Sequence, residues 1–381
     1  MEKSINRRLI ADVPVGTFLS GGLDSSLITA LASGQKSSLN TYTIAFKGSA
    51  QFDESADAAM VANHFKTNHT EISIDESDLL SGVPDLLSQL DEPFADSSAI
   101  AMNQLCMSVR NEIKVALSGD GGDELFAGYY KHKAQYYAFQ FPVLTRLIGL
   151  GEPALRYLPF SRKRGLLNAM RKLQRYSQGA NQNANDRYWS WAGFGNPVQG
   201  DLFTNLSFHP LEFLKQSTNK DIACFEDGLE SDIKMVLEGD MLVKTDRNSM
   251  RHGLEVRVPL LDHELVDFVQ NMDVRYKIDW KGGKKILREL AVGILPKQII
   301  GKKKHGFEVP LKKWLNHELT EKMNELLSSE LISEQGLFDP ITVDKLKLSI
   351  KNSASQNSEY AIWNLMAFNQ WWLNYRDKLK A

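Results

Sequence analysis

The chain has 381 residues, 43% of them apolar and 24% charged, which is the balance of a folded globular protein and excludes extensive disorder. With 45 Lys+Arg against 47 Asp+Glu the formal charge is −2, so no global basic field exists to recruit nucleic acid. Two typical domains, or one large α/β unit with a helical extension, fit within that length.

A short helix over Ile5–Ile10 precedes an apolar run, Val13–Leu19, which reads as a buried strand ending in Ser20-Gly21-Gly22. A helix follows from about Asp24 to Ala32. Thr41–Phe46 is the next strand and Asp53–Lys66 a helix, with Ala56, Ala59, Met60 and Phe65 near helical spacing. His69–Ile74 is a third strand, Ser77–Leu90 and Ser98–Arg110 are helices, and Ile113–Leu117 is a fourth strand ending in a second glycine-rich turn. Such alternation predicts a parallel sheet covered on both faces. Beyond Gly128 the strand signals fade. Helical stretches take over at Gln135–Leu150, Leu229–Asn248, Lys284–Val292, Pro310–Leu327 and Glu359–Tyr375, with a polar surface loop at Ser177–Asn185. The expectation is a parallel, doubly wound α/β part over residues 1–130, then a mostly helical part over 131–381.

Cys106 and Cys224 are too few for a disulfide framework or a structural zinc site, and both read as buried small hydrophobes. The eight histidines show no zinc spacing. The start is too polar for a secretory signal, and the apolar stretches Phe141–Phe160 and Tyr360–Tyr375 are interrupted by polar residues. A cytoplasmic chain with no membrane partner is expected.

In α/β sheets ligands gather at the carboxyl ends of strands. The first such loop is FLSGGLDSSLITAL, Phe18–Leu31. Gly21 and Gly22 allow a tight turn whose N–H groups converge on an anion, and the next helix adds its N-terminal dipole. Ser20 and Ser25 add hydroxyls. Asp24 suits a phosphate cradle only if it holds a cation, and magnesium, bound by one or two carboxylates plus phosphate oxygens, fits. The bland alternative is a strand-to-helix turn with a serine cap. The sequence contains neither a Walker A string nor a GxGxxG. The second loop, ALSGDGGDELFAGY (Ala116–Tyr129), places Asp120, Asp123 and Glu124 among three glycines. Those acids either share a cation with Asp24 or form a solvated turn. Its spacing does not fit an EF-hand.

These residues carry a resemblance. SGGLDSS at 20–26 resembles the pyrophosphatase loop of the N-type ATP pyrophosphatases, of the adenine nucleotide alpha hydrolase fold type. Paired with SGDGGDELFAGY at 118–129, it is similar to the synthetase domain of glutamine-hydrolysing asparagine synthetases. ADVPVGTFLSGG (11–22), Asp91-Glu92-Pro93, DRNSMRHGLEVRVPLLDHELVDF (246–268), GKKILRE (283–289) and KHGFEVPLKKWL (304–315) follow in the family's order, so the likeness covers nearly the whole chain as one synthetase domain, 1–381.

The resemblance implies an enzyme that adenylates a carboxylate with ATP, releasing pyrophosphate, after which ammonia attacks the acyl carbon to give an amide and AMP. Aspartate is the first-choice acceptor, with a related carboxylate as the alternative. By similarity, Ser20, Gly21, Gly22, Asp24 and Ser25 hold the pyrophosphate end. Asp24 and Asp123 ligate Mg2+, while Ile44 and Gly119 contact adenine through backbone. Asp120 lies beside the reacting substrate, and Lys284 stabilises the adenylation transition state. Glu124, Asp246, Arg247, Glu255 and Arg257 are acceptor-site candidates, although an Arg–Glu pair serves equally as a structural ion pair. Lys302-Lys303-Lys304 either screens pyrophosphate or forms a solvated face. The aromatic residues Trp363, Phe368, Trp371 and Trp372 fit helix packing.

Glutamine-using relatives begin with a glutaminase domain whose nucleophile is an N-terminal cysteine, whereas here position 2 is Glu and the pyrophosphatase loop starts at Ser20. The expectation is an excised synthetase domain, or else a chain that takes ammonia free or from a partner. A homodimer is compatible with the sequence. Two readings of other classes stand beside this one: a non-catalytic nucleotide-binding module, and an RNA-modifying ATP pyrophosphatase, which the near-neutral charge does not favour.

Overall fold

Val15–Phe18 (β1), Asn40–Phe46 (β2), Asn68–Ile74 (β3), Val115–Leu117 (β4) and Glu255–Arg257 (β5) pair into one sheet of order β3-β2-β1-β4-β5. All four neighbouring pairs are parallel. The computed structural model of the chain describes residues 1–47, 53–155, 165–193, 202–204, 216–218, 220–302, 309–351 and 358–379. The central strands β1 and β4 are apolar almost throughout because helices cover the sheet on both sides, so neither face can be polar.

The helices before and between these strands begin with Glu2–Arg8 (α1), Leu23–Ser33 (α2), Ser55–Phe65 (α3), Glu76–Ser88 (α4), Ala99–Val109 (α5) and Gly122–Leu125 (α6). Tyr42, Ile44 and Phe46 alternate along β2 and so share one face. They pack with Leu79, Val83 and Leu87 of α4, Ile100 and Leu105 of α5, and Trp314, Trp363 and Met366 of the C-terminal part. Leu19, Leu27, Ala58 and Val61 belong to a separate cluster with Val269, Leu287 and Ala291. Residues beyond 130 thus complete the core on both sides. The expected parallel, doubly wound sheet of the adenine nucleotide alpha hydrolase type, followed by a mostly helical half, is the observed architecture.

Several local expectations change. The run Glu255–Arg257, read only as part of a motif, is the fifth strand, bonded to β4 in the register Val115–Glu255 to Leu117–Arg257. The expected helix Gln135–Leu150 is two, Tyr130–Gln140 and Pro142–Leu150, because Pro142 cannot continue the first. Pro310–Leu327 likewise divides into Leu311–Asn316 and Thr320–Leu326. The stretch Leu229–Asn248 is not one α-helix: Phe225–Asp232 is α-helical, Ile233–Leu242 is π-helical and Val243–Met250 is α-helical again. The expected loop Ser177–Asn185 is mostly helix, because Gly165–Ala180 runs through Ser177 and the next helix, Ala184–Ala192, starts on Asn183, whose side chain accepts the Asp186 N–H.

Cys106 is buried, as expected, and burial pushes its thiol up to about 12. Cys224 is exposed instead. It stands at the start of the helix Phe225–Asp232, where its thiol donates to Asp227 at 3.1 Å. Trp363 is fully buried, in line with helix packing. Among the described residues no helix is long and apolar enough to cross a membrane. Lys303, Lys304 and the HGFE of the 304–315 motif lie outside the described residues.

Candidate active site

In the sheet order, β2 flanks β1 on one side and β5 flanks β4 on the other, so the winding reverses between β1 and β4. A doubly wound sheet opens its ligand crevice at that switch point, outside the carboxyl ends of the strands. Both glycine-rich loops leave the sheet there. In the first, Gly21 has φ +69°, and a Cβ on it would come within 2.6 Å of the Asp57 Cβ and 2.7 Å of the Ala58 N, so only glycine lets this loop lie on α3. Gly22 precedes α2 and donates its N–H to the Ser20 hydroxyl at 3.3 Å, while the Ser20 and Ser25 hydroxyls lie 3.1 Å apart. The eleven-residue helix α2 therefore starts among hydroxyls and N–H groups, an arrangement that suits an anionic phosphate.

The second loop closes on the first. A Cβ on Gly122 would sit 2.7 Å from the Asp24 carboxyl carbon, and one on Gly119 would sit 3.1 Å from the Ser25 N. Small residues are what let the two strand ends meet. A third segment adds the cation. The antiparallel pair Ile278–Asp279 and Gly282–Gly283 leads into Lys284, a left-handed residue with φ +57° whose N–H donates to the Phe126 carbonyl at 2.6 Å. The Lys284 ammonium pairs with Asp24 and, at 2.7 Å, with Asp123. Burial opposes its charge, but the two adjacent carboxylates more than offset that and hold it above the ordinary lysine range. Asp24, Asp123 and Lys284, distant in sequence, thus share one point. The Asp24–Asp123 pair already accommodates a cation, and two carboxylates supplemented by phosphate oxygens fit magnesium. Among the described residues no group of three His, Cys, Asp or Glu gathers for a metal. A metal here would draw its remaining ligands from phosphate and water.

Asp120 flanks this point. Its Oδ2 accepts the Ser118 hydroxyl at 2.7 Å and the Thr245 hydroxyl at 2.9 Å. Glu124 does not join it. That residue is 1% exposed and accepts the Tyr129 hydroxyl at 2.6 Å, behind the loop. Burial and the Glu124 charge hold that phenol well above its usual range. Beneath lies Asp232, fully buried and paired with Lys131 and His132, each at 2.7 Å. Ile44 is a core residue inside β2, so only its backbone faces neighbouring strands.

The remaining acceptor candidates disperse. Asp246 is exposed. Arg247 pairs with Asp91 at 2.6 Å and Glu92 at 2.8 Å, clamping the Asp91-Glu92-Pro93 turn. Arg257 pairs with Glu255 at 2.6 Å and donates to the Arg8 and Ile10 carbonyls, so it binds the N-terminal segment to the sheet edge. Of the lysine run, Lys302 is no solvated residue: it bridges Glu54 (2.6 Å) and Asp57 (2.7 Å) on the turn that supports Gly21. Sequence reasoning missed Lys244, Thr245, Asp96 and Asp240. Lys244 is part-buried and pairs with Asp96 at 2.9 Å, while burial and the Asp96 charge push the Asp240 carboxyl up to about 6. The signal for Lys244 and Thr245 was their place just before Asp246-Arg247 on the same helix.

The family model for asparagine synthase matches residues 1–373. The chain belongs to that family. It is 28% identical to asparagine synthetase [glutamine-hydrolyzing] 1 of Bacillus subtilis, across 97% of this chain and 57% of the relative. It is equally 28% identical to a putative asparagine synthetase [glutamine-hydrolyzing] of Mycobacterium tuberculosis, across 97% and 56%. A more distant relative, the amidase chyE of Penicillium rubens, is 25% identical across 88% and 55%. The chain therefore spans a little over half the length of the curated relatives it matches.

Proposed function

We propose that this chain is an ATP-dependent, AMP-forming carbon–nitrogen ligase that activates the side-chain carboxylate of aspartate as an acyl-adenylate and lets ammonia displace AMP, giving asparagine. The observation that carries this reading is the meeting of Asp24, Asp123 and Lys284 between the ends of β1 and β4. A carboxylate is a poor electrophile at neutral pH, and adenylation turns one of its oxygens into part of a good leaving group. When the carboxylate attacks the α-phosphorus, negative charge grows on the departing pyrophosphate. Preorganised cations and N–H donors at that end lower the barrier most. Ser20, Gly22, Ser25 and the start of α2 supply the donors. Magnesium held by Asp24 and Asp123 would add charge neutralisation there. Lys284, beside the same two carboxylates, would offer its ammonium to the departing pyrophosphate. Asp120 lies beside the acceptor.

ATP–pyrophosphate exchange tests the first half of the reaction. Aspartate with Mg2+ is expected to stimulate exchange, and adding ammonium chloride to yield asparagine and AMP in equal amounts. Exchange driven by another acid while aspartate is silent would keep the chemistry and change the acceptor. That second reading has one support, the amidase names of the fungal relatives. No exchange with any acid, together with salt-sensitive tRNA binding, would instead favour an RNA-modifying enzyme. Ammonia reaches the site free, or from a glutaminase domain or partner.

A further inference from the structure

We propose that Lys244 and Thr245 are positioning residues that fix Asp120 and the Asp96 loop for the acceptor; this rests on the reading that Asp120 stands beside the reacting carboxylate. The two are consecutive on the helix Val243–Met250, yet each reaches a different loop. Thr245, 4% exposed, donates its hydroxyl to Asp120 Oδ2 at 2.9 Å, the same oxygen that takes the Ser118 hydroxyl. Asp120 Oδ1 receives no side-chain hydrogen bond among the described residues, and two donors on the other oxygen fix the carboxylate's orientation. Lys244 donates to Asp96 Oδ2 at 2.9 Å, and that oxygen also accepts the Ser98 hydroxyl at 2.8 Å. Asp96 in turn holds the Ser98 N–H at 2.9 Å, which fixes the turn entering α5. One turn of helix therefore joins the segment before α5 to the loop after β4.

The π-helical segment Ile233–Leu242 explains how this turn arrives in place. Each i→i+5 turn takes up more residues than an α turn, so ten such residues rotate the following helix away from the face that α geometry would give it. The anchor at the upstream end is fixed, since Asp232 is locked by Lys131 and His132. With that end immobile, the rotation sets where Lys244 and Thr245 point. The cost of an irregular segment of this length is consistent with a placement that matters to function.

The experiment measures acceptor-dependent ATP–pyrophosphate exchange and the KM for ATP in Thr245→Val, Thr245→Ser and Lys244→Met, alongside a crystal structure of Thr245→Val. Thr245→Val keeps the side chain's shape and removes the donor. It is expected to lower the exchange kcat at least tenfold, with the KM for ATP within twofold of wild type, and Thr245→Ser to recover most of that loss. Lys244→Met is expected to raise the acceptor KM at least tenfold while leaving ATP binding intact; if it fails to fold, Lys244→Arg replaces it and is expected to retain a normal acceptor KM. Wild-type kcat in Thr245→Val, a parallel rise in the KM for ATP, or an unchanged Asp120 orientation in its crystal structure would each overturn the proposal. Exchange absent from the wild-type chain with every acid would instead remove the underlying reading of Asp120.

Discussion

The Lys284 ammonium stands 2.7 Å from the Asp123 carboxylate and pairs with Asp24 as well, so a lysine from the C-terminal half neutralises the acids that end both glycine loops. If Asp24 and Asp123 hold a divalent cation as proposed, the lysine and that cation would be rivals for the same two carboxylates. In Lys284→Met those largely buried acids lose the ammonium that pairs with both, which is expected to cost on the order of 2–4 kcal/mol of stability. Millimolar Mg2+ alone then restores more stability to the variant than it adds to the wild type, because metal binding no longer has to displace the ammonium. Thermal unfolding with and without Mg2+ measures this. Equal Mg2+-induced shifts in the two proteins would show that the lysine and the metal do not compete.

Asp24→Asn removes half of the protein-supplied negative charge proposed to hold the metal. The loss of transition-state stabilisation should be several kcal/mol, on the order of a hundredfold or more in the rate of pyrophosphate release. Near-normal exchange in this variant would reduce Asp24 to a turn residue that merely packs under Gly122.

The close approach of the loops makes its own prediction. In Gly122→Ala the new methyl falls 2.7 Å from the Asp24 carboxyl carbon, so the Asp24 carboxylate must shift from its place beside Lys284. The expectation is a tenfold to hundredfold loss of exchange, by roughly 1–3 kcal/mol of overpacking strain. Gly239→Ala is the control, since a Cβ there meets nothing within 4 Å. If both alanines behave alike, contact between the loops does not govern the site.

Much of this was legible in the sequence, and the limits have physical causes. The strands β1 and β4 announce themselves because apolar runs end in glycine-rich turns, and the loop acids Asp24, Asp120 and Asp123 stand in unmistakable strings. Strand β5 was hidden because Glu255-Val256-Arg257 is three residues with two charges, and edge strands need not be apolar. The π-helical segment was hidden because its composition is that of an α-helix. Glu124 and Asp246 show a complementary limit. Being acidic and near the right motif does not say which way a side chain points, and here one turns into the core and the other to solvent.

Asp240 gives a pH dependence with a definite sign. Burial, with the nearby Asp96 charge, raises its carboxyl from the ordinary value of 3.8 to about 6 in the folded chain. Between about pH 4 and pH 6 the folded state thus holds a proton that the unfolded state has released, and stability falls as pH rises through that window. Asp240→Asn stays neutral throughout. It is expected to unfold later than wild type above pH 6 and to lose that advantage below pH 4. A stability difference that is constant with pH would mean that Asp240 is not strained by its own charge.

Arg257 separates the two roles its motif allowed. Its guanidinium donates to the Ile10 carbonyl at 2.7 Å and the Arg8 carbonyl at 2.9 Å, and α1 is further tied down by Arg8 on Asp262 at 2.7 Å. These contacts hold the segment before β1 against the strand at the far edge of the sheet, and among the described residues the Arg257 side chain has no hydrogen bond or ion pair to Asp24, Asp123 or Lys284. Arg257→Met should therefore lower stability by about 1–3 kcal/mol, through two charge-assisted hydrogen bonds to carbonyls that are left partly unsatisfied. The kcat and acceptor KM, measured at a temperature where the variant remains folded, should stay within twofold of wild type. A tenfold rise in acceptor KM at unchanged melting temperature would return Arg257 to the acceptor site and make its bonds to the N-terminal segment incidental.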